Sequence, residues 1–481
     1  MLTAGRRVPL LDYFGVPYKV DGAAGAGSHD GSLCEVSWLQ DATAPRKMLW
    51  PAATGREPVT PSRIGTSTIF AAVAADDACA AWLDRIGSSW ERLIDIHGPD
   101  GARRAAIWRD ERGNVFLPFD PSQAVAALLS EQYRRAGRSY PVAVARASAA
   151  SAYYRVRPVV PRKLQIAARR IFVRAQARAA FPAWPIEPSL HDLYDLLLRL
   201  FAELAQLPLP YLAPWPAPYK WALVLTHDVE TQDGYLELDR LRGIEVELGL
   251  RSAWNFVPRR YDVDDRIVRE LTAEGHEVGV HGLYHDGRDL ASKKVLEERL
   301  PHIRAFAERW GAVGFRSPAL RRSADLMALL GFDYDSSYPD TDPHGPDGGG
   351  CCSWLPYMIE DLAELPVTLP QDHTLFEILQ TDSTAWHEKT RYLRDRGGMA
   401  LLVTHPDYML DDRRLNAYDE FLRTFATDDT AWKALPREVS AWWRRRSASR
   451  LVFDHGRWEV EGEAAGEAAI AFLEPEAAFT P

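Results

Sequence analysis

Residues 221–230 read WALVLTHDVE, an unbroken apolar run that ends in polar residues. An apolar run without alternation is typical of a parallel strand that is buried on both faces of its sheet. The polar side chains of Thr226, His227, Asp228 and Glu230 then fall at the carboxyl end of that strand. The stretch therefore predicts a buried strand with a polar cluster at its end.

Beyond this stretch, strand-like segments alternate with helix-like segments. The predicted strands are 252–257, 277–280, 312–315 and 399–403, and the predicted helices are 266–274, 296–310 and 325–330. This alternation favours parallel pairing and an α/β fold. Polar residues also follow these strands, at His281, Arg316, Asp335 and His405. In barrel-like α/β folds the chemistry is built at the carboxyl ends of the strands, so we expect a functional site at that edge.

Two features of this edge predict a divalent-metal site. Alternate side chains of a strand face the same side, so Asp228 and Glu230 are expected to project together. His281 and His285 would share one face if the chain turns helical from Gly282 onward. Two imidazoles and one carboxylate leave open positions on Zn²⁺ or a similar cation, which is a catalytic rather than a structural ligand set.

The remaining groups suit a hydrolytic reaction. A bound cation would lower the pKa of water toward ~7 and polarise a carbonyl, and the second carboxylate would serve as general base. His405 follows the last predicted strand and is a candidate general acid for a leaving amine. Its charged partner would be either Asp335 or Asp407.

Each residue alone has a simpler explanation. A pair of histidines four residues apart binds metal in roughly one case in ten. Asp228 would also suit the N-cap of a helix, Arg316 would suit a core ion pair, and Asp335 would suit a capped turn at Ser336. Five polar sites at successive strand ends, however, are not what packing requires. Their joint occurrence favours a functional site.

The ordered motifs of this region resemble those of polysaccharide deacetylases, the NodB-homology domains of carbohydrate esterase family 4. The motifs that carry the resemblance are residues 222–230, 281–285, 314–318, 334–337 and 402–406, and residues 365–372 resemble a segment of a poorly characterised bacterial branch. The resemblance covers about residues 215–440. It implies a distorted (β/α) barrel that removes acetyl groups from N-acetylated sugars with a divalent metal, usually zinc.

The resemblance also implies roles for single residues by their motif positions. By that correspondence His281 and His285 would be metal ligands, Asp228 the catalytic base, Arg316 a third-motif residue beside the groove, Asp335 the fourth-motif residue and His405 the catalytic acid. The backbone N–H near Ala319 would help to hold the oxyanion.

The chain departs from the family pattern at Val229, where a second, adjacent aspartate is usual. The same-face argument allows Glu230 to take over the ligand role. Otherwise Asp228 itself binds the metal and the base is missing. The departure leaves three hypotheses open: an active deacetylase of a glycan or glycan precursor, a catalytically silent glycan-binding or scaffold protein, and a hydrolase of a non-sugar amide. Trp386, His387 and Tyr408 are candidates for the walls of a groove.

Residue composition and the positions of proline and glycine suggest how the chain is divided into domains. We expect a mixed α/β domain at 1–157, a helical, proline-rich connector at 158–215, the deacetylase-like domain at 216–440 and a tail with a short β-hairpin at 441–481. The basic helical stretch within the connector would suit either a solvated linker or a membrane-surface helix, and the negative charge of the chain favours the linker.

Charge and hydropathy narrow the partners. The net charge is −10, from 57 basic and 67 acidic residues, which argues against general nucleic-acid binding. No apolar run approaches the ~20 residues of a membrane span, and the first residues are too interrupted for a signal-peptide core. We therefore expect a cytoplasmic protein that acts on a carbohydrate, with its four cysteines as reduced thiols.

Overall fold

The computed structural model describes residues 8–21, 33–39, 46–52, 59–134, 170 and 181–475. These residues form two compact units, each assembled from separated stretches of chain. The larger unit contains Pro214–Arg444 with residues 170 and 181–187, and the smaller unit contains the described residues before 135 together with Pro188–Ala213 and residues 445–475. The contiguous division at 157, 215 and 440 stays a prediction. Most of the basic connector stretch lies outside the described residues.

The smaller unit is built on a mainly antiparallel sheet, whose strand order is β1-β2-β3-β8-β7-β6-β4-β5. The strands are β1 (Tyr18–Asp21), β2 (Leu33–Trp38), β3 (Lys47–Pro51), β4 (Thr60–Ile64), β5 (Ser67–Ala71), β6 (Trp90–His97), β7 (Arg103–Asp110) and β8 (Val115–Phe116). Strands β7 and β8 form a hairpin that turns at residues 110–113, with Trp108 opposite Phe116. The helices of this part are α1 (Pro9–Phe14), α2 (Asp76–Ile86) and α3 (Pro121–Leu129).

Further along the chain come α4 (Ser189–Ala205) and β9 (Leu209–Pro216). Helix α4 is amphipathic. It buries an apolar stripe that includes Leu193, Leu197 and Phe201, as an amphipathic helix does against a core.

The larger unit contains one nine-stranded sheet, which is parallel except at the edge strand β15. Its strands are β10 (Trp221–Val229), β11 (Ala253–Phe256), β12 (Glu277–Val280), β13 (Gly314–Phe315), β14 (Tyr334–Asp335), β15 (Tyr357–Ile359), β16 (Leu362–Glu364), β17 (Met399–Thr404) and β18 (Ala431–Lys433). The order is β15-β16-β14-β13-β12-β11-β10-β17, and β18 also pairs with β10. Every residue of β10 is buried, as its unbroken apolar run predicts.

The predicted barrel is present only in part. The ladder over the described residues has two edges, β15 and β17, instead of a closed ring. Isolated contacts lie between these edge strands. The Leu369 N–H donates to the Leu401 carbonyl at 3.0 Å, and Pro339 forms an isolated parallel bridge with Val367. A curved, barrel-like α/β sheet is therefore observed, and full closure stays a prediction.

Helices cover the sheet and are delimited by local signals. Those of the larger unit are α5 (Gln232–Leu236), α6 (Leu238–Glu247), α7 (Asp265–Ala273), α8 (Lys293–Trp310), α9 (Ala324–Met327), α10 (Thr384–Asp395), α11 (Asp412–Ala426) and α12 (Pro436–Ser447). The Asp264 carboxylate caps α7 at the Arg266 N–H, and the Ser292 hydroxyl caps α8 at the Val295 N–H. Within the described residues, no helix is both long enough and apolar enough to cross a membrane.

The tail forms the predicted hairpin, β19 (Arg450–Asp454) with β20 (Arg457–Glu461), and β21 (Ala468–Leu473) then pairs with β9. The four cysteines, all within the described residues, form no disulfide bond.

Strand register brings the polar strand ends of the larger unit to one edge. His227 lies opposite Thr404 on β17, and Asp228 lies opposite Asn255 on β11. Val280, which precedes His281, lies opposite Phe315, which precedes Arg316. Parallel strands end on the same side of a sheet, so the carboxyl ends of β10, β12, β13 and β17 share one edge.

Candidate metal and catalytic site

Three side chains converge at this edge. Glu230, His281 and His285 each offer a ligand atom, and these atoms all lie within 4.8 Å of one another. His281 and His285 are buried, and the side chain of Glu230 is 15% exposed. The His285 Nε2 lies 3.0 Å from Glu230 Oε1. The set has the composition of a divalent-metal site with open coordination positions.

A loop brings the two histidines together, and the helical turn that was the condition for their sharing one face is absent. Residues 281–285 are not helical, and both Gly282 (φ 64°) and His285 (φ 56°) adopt left-handed backbone conformations. At Gly282 a Cβ atom would stand 2.6 Å from Pro318 and 2.5 Å from a carboxylate oxygen of Asp289. Glycine is needed there because the chain turns sharply against the Pro318 loop.

The orientation of His281 leaves one ring nitrogen available. Its Nδ1 lies 3.1 Å from the Arg316 carbonyl, which fixes that nitrogen as the N–H donor. The buried Nε2 then carries the lone pair and has no hydrogen-bond partner among the described residues. Burial lowers the pKa of His281 to about 4, so the imidazole is neutral at neutral pH. A neutral, oriented imidazole with an unused nitrogen is what a metal ligand requires.

The ring of His285 is also suited to bind a metal. Its Nε2 faces Glu230 Oε1 at 3.0 Å, and its Nδ1 has no hydrogen-bond partner within the described part of the chain. A buried ring nitrogen without a partner costs free energy unless a ligand satisfies it. The rings of His281 and His285 have centroids 5.0 Å apart. The donor set therefore fits a Zn²⁺-type cation.

Asp228 lies beside this cluster and is held by two donors. Its Oδ1 accepts from Asn255 Nδ2 at 2.9 Å and from Arg316 at 3.1 Å, and its Oδ2 lies 3.9 Å from His281 Nε2. Burial alone would raise the pKa of Asp228, but the charge of Arg316 outweighs it, with help from His281, His405 and the Asn255 hydrogen bond, and brings that pKa to about 2. Asp228 is therefore an ionised carboxylate in a fixed orientation.

Arg316 is a buried scaffold for Asp228. The guanidinium donates to the Ser336 carbonyl and hydroxyl and to the Thr226 hydroxyl, each at 2.8 Å, as well as to Asp228. The residue is 1% exposed. Arg316 therefore forms a buried ion pair, as its simpler explanation required. Because the carboxylate partner is Asp228, the same contact also places Arg316 beside the site, as the motif implies.

His405 reaches the cluster from the end of β17, and its charged partner is Asp372. The Asp372 Oδ1 lies 2.6 Å from His405 Nδ1, while Oδ2 accepts the His405 backbone N–H at 2.7 Å. The predicted pairing with Asp335 or Asp407 is wrong. Burial alone would lower the pKa of His405, but Asp372, followed by Glu230 and Asp228, raises it to about 10. The ring is therefore an imidazolium at neutral pH, with Nε2 lying 3.9 Å from Glu230 Oε1.

Asp335 is buried apart from the ligand set, and its neighbour there is a second acidic residue, Glu364. Its Oδ2 accepts from the Ser337 hydroxyl at 3.1 Å, and its carboxyl group shares a hydrogen bond with that of Glu364, which is equally buried. Burial raises the pKa of Asp335 to about 7 and raises that of Glu364 well above its ordinary range. Among the described contacts none joins Asp335 to Glu230, His281, His285 or His405. Its predicted catalytic role stays a prediction.

One buried group near the site was missed by the sequence reasoning. Glu245 on α6 accepts from the Tyr418 hydroxyl at 2.5 Å and the Ser252 hydroxyl at 2.6 Å, and lies 2.7 Å from His227 Nε2. The other ring nitrogen of His227 lies 2.8 Å from the Thr404 hydroxyl. A glutamate inside an amphipathic helix gives no sequence signal of such a role.

The suggested groove walls separate into different environments. Trp386 is fully buried, with its indole N–H donating to the Pro370 carbonyl at 2.6 Å, so the prediction that it lines a groove is wrong. Tyr408 lies at the site and donates to Glu230 Oε2 at 3.1 Å.

Comparison with known proteins gives a likeness at the level of structure. No protein-family model matches the chain, and no curated protein matches it. The solved structures that match include polysaccharide deacetylases and members of carbohydrate esterase family 4.

Three of these structures illustrate the extent of the likeness. A Mycobacterium smegmatis protein named as a polysaccharide deacetylase is 24% identical, with a TM-score of 0.39, over 48% of this chain and 92% of that one. A Pseudomonas aeruginosa PAO1 protein of the same designation is 18% identical, with a TM-score of 0.40, over 48% and 93%. The PuuE allantoinase is 17% identical, with a TM-score of 0.39, over 48% and 93%. The residue assignments rest on the geometry of the site alone.

Proposed function

We propose that this protein is a metal-dependent hydrolase that removes acetyl groups from N-acetylated sugars of a polysaccharide or glycan precursor. One observation carries the proposal: Glu230, His281 and His285 present ligand atoms within 4.8 Å of one another, and the buried Nε2 of His281 has no hydrogen-bond partner in the described chain. An ionised aspartate and a protonated histidine flank this set.

Glu230, His281 and His285 would hold the cation. Bound there, a Zn²⁺-type ion would supply Lewis acidity toward a carbonyl oxygen and acidify a water molecule, with open positions left for both. The His281 tautomer is already set for this task by the Arg316 carbonyl. The substitution of Val229 for a second aspartate then does not remove the third ligand, because Glu230 supplies it.

Asp228 is assigned as the general base. Its carboxylate is ionised at any working pH and lies beside the ligand set, so it can accept a proton from a nucleophilic water. A carboxylate with a pKa of about 2 is a weak base, and a cation held by Glu230, His281 and His285 would compensate for this by acidifying the water. Arg316 and Asn255 keep one oxygen occupied and leave Oδ2 on the side of His281.

His405 is assigned as the general acid. Asp372 occupies Nδ1, so the transferable proton is on Nε2, which is on the side of Glu230. With a pKa of about 10 the ring is protonated at neutral pH and can donate to a leaving amine. Two titratable groups whose pKa values are driven apart in this way are typical of an acid and base pair.

The acetylated sugar is supported by the motifs and by the names of structurally similar proteins, and both leave the sugar and linkage open. A cytoplasmic location stays a prediction. The competing hypotheses, a silent glycan-binding protein and a hydrolase of a non-sugar amide, differ from this proposal in measurable ways.

The test measures metal content and acetate release on the same preparation. The full chain should carry one Zn²⁺ after reconstitution, by elemental analysis, and release acetate from acetylated chitotetraose. His281→Ala should lose both, whereas His455→Ala, which changes an exposed histidine of the β19–β20 hairpin, should lose neither. A protein that binds no zinc favours the silent scaffold. A protein that binds zinc and hydrolyses only non-sugar amides contradicts the sugar assignment.

A further inference from the structure

The residues that follow His405 surround Glu230. We propose that Asp407 and Tyr408 are positioning residues that make Glu230 a metal ligand in a chain where Val229 occupies the adjacent strand position. This inference rests on the metal site of the proposed function and adds the residues that build it.

Glu230 needs external restraint more than a strand residue would. Strand β10 ends at Val229, whose side chain is fully buried and apolar, so the acidic group comes from the first residue beyond the strand. A glutamate also has one more rotatable bond than an aspartate, so ordering its side chain costs more conformational entropy. Neighbouring groups must therefore fix both the backbone and the carboxylate of Glu230.

Asp407 fixes the backbone. Its Oδ2 accepts the Glu230 N–H at 2.8 Å, and its Oδ1 accepts the hydroxyl of Thr231. Gly234 makes room for this carboxylate, because a Cβ at that position would stand 2.3 Å from Asp407 Oδ2. The carboxylate of Asp407 thus holds the chain where it leaves β10, across 177 residues of sequence.

Tyr408 fixes the carboxylate. Its hydroxyl donates to Glu230 Oε2 at 3.1 Å, while Oε1 lies 3.0 Å from His285 Nε2. One oxygen is therefore held by the tyrosine and the other is directed at the ligand set. A donor on the outer oxygen of a ligating carboxylate is the usual outer-shell arrangement around protein-bound metals.

Tyr408 is itself restrained from three sides. Its ring packs against His405 and His373, with centroids 5.2 Å and 4.8 Å away, and its carbonyl accepts from Arg414 at 2.6 Å. The loop that carries the proposed acid thus also orients a ligand of the proposed metal. A tyrosine that only lined a substrate groove would not need the hydrogen bond from its hydroxyl to Glu230.

The test is the zinc affinity of Tyr408→Phe, measured by competition with a chromophoric chelator. Removal of one hydroxyl should weaken zinc binding by roughly 10- to 100-fold, the range typical of outer-shell partners. Asp407→Asn should weaken it in the same direction. Tyr235→Phe is the matched control, since that half-buried tyrosine loses one hydrogen bond, to the Asp264 N–H, outside the ligand set. Its zinc affinity should equal that of the wild type.

The melting temperature of each zinc-free variant separates misfolding from a local effect. A Tyr408→Phe protein with wild-type zinc affinity overturns the inference, even when its KM for acetylated chitotetraose rises, because such a split identifies a groove residue. A wild-type protein that binds no zinc overturns the proposed function itself, and the inference with it.

Discussion

At the scale of single residues, the site keeps two groups in opposite protonation states. Asp228 is held ionised by Arg316, and His405 is held protonated by Asp372, although both are buried. Burial by itself would favour the neutral form of each. The partners therefore decide the charge, and substitution of either partner should change the chemistry without removing a ligand.

Asp228→Asn tests the general base. The variant should lose acetate release by roughly 10²- to 10⁴-fold, the usual contribution of a positioned acid or base, because an amide cannot accept the proton. It should retain one zinc per chain, since Glu230, His281 and His285 are intact. Steady-state kinetics and elemental analysis check the two halves of the prediction. Full activity would refute the assignment, and loss of zinc would make Asp228 a ligand.

Asp372→Asn tests the source of the charge on His405. The proposed general acid donates its proton in the imidazolium form, so activity should fall as pH rises through the pKa of His405. Loss of the Asp372 charge should lower this pKa from about 10 and move the alkaline limb of the kcat/KM profile to lower pH. A limb that stays in place would show that another group sets it. Asp382→Asn, at an exposed position, is the control.

At the scale of secondary-structure elements, buried polar groups connect strands that carry site residues to the helices around them. The His227–Glu245 pair links β10 and β17 to α6 and, through Tyr418, to α11. Thr404, His227 and Glu245 follow the order of a hydroxyl–imidazole–carboxylate triad. All three side chains are 0% exposed, however, so substrate cannot reach them and the arrangement is structural.

Glu245→Ala should therefore destabilise the larger unit strongly. The change leaves His227 and two hydroxyl groups buried without their acceptor, and breaking such a pair costs about 3–5 kcal/mol. Urea denaturation measures the difference in the free energy of unfolding. Glu247→Ala on the same helix is the control, because that side chain is 65% exposed and its ion pair with Arg423 is on the surface. Equal losses in the two variants would contradict the structural role of Glu245.

Glu277, the first residue of β12, predicts a pH dependence of stability. Burial raises its pKa to about 7, against ~4.3 in an unfolded chain. Between these values the folded state binds more protons than the unfolded state, so stability falls as pH rises. Compared with Glu277→Gln, the wild type should lose roughly 3 kcal/mol of unfolding free energy between pH 4.5 and 7.5. Denaturation curves at both pH values check this, and a constant difference would contradict it.

At the scale of the whole molecule, metal binding should increase the free energy of unfolding. A ligand that binds only the folded state adds about 4 kcal/mol at a free concentration 1,000 times its Kd. Excess zinc should therefore raise the melting temperature of the larger unit by several degrees, and a chelator should reverse the shift. His285→Ala should show no shift, whereas His302→Ala, an exposed histidine on α8, should behave as the wild type. An equal shift in both variants would show that zinc acts elsewhere.

Much of the larger unit could be predicted because its signals are local. The apolar run of β10, the caps and the alternation of strands with helices all operate within about ten residues. Glu230, His281 and His285 could also be proposed, since a strand period and a four-residue spacing limit where side chains point. The helical turn at 281–285 could not be excluded, because the left-handed backbone at His285 depends on packing and not on residue type.

The sequence alone determined that β10, β11, β12, β13 and β17 form, that they are parallel, and that their polar ends meet at one edge. Only the tertiary structure decided the partners within that edge: Asp372 for His405, Asp407 and Tyr408 for Glu230, and Glu245 for His227. These contacts join residues from 18 to 178 positions apart. Their geometry depends on strand register and on how loops fold over the strand ends. The periodicity of apolar and polar residues in the sequence contains no information about either.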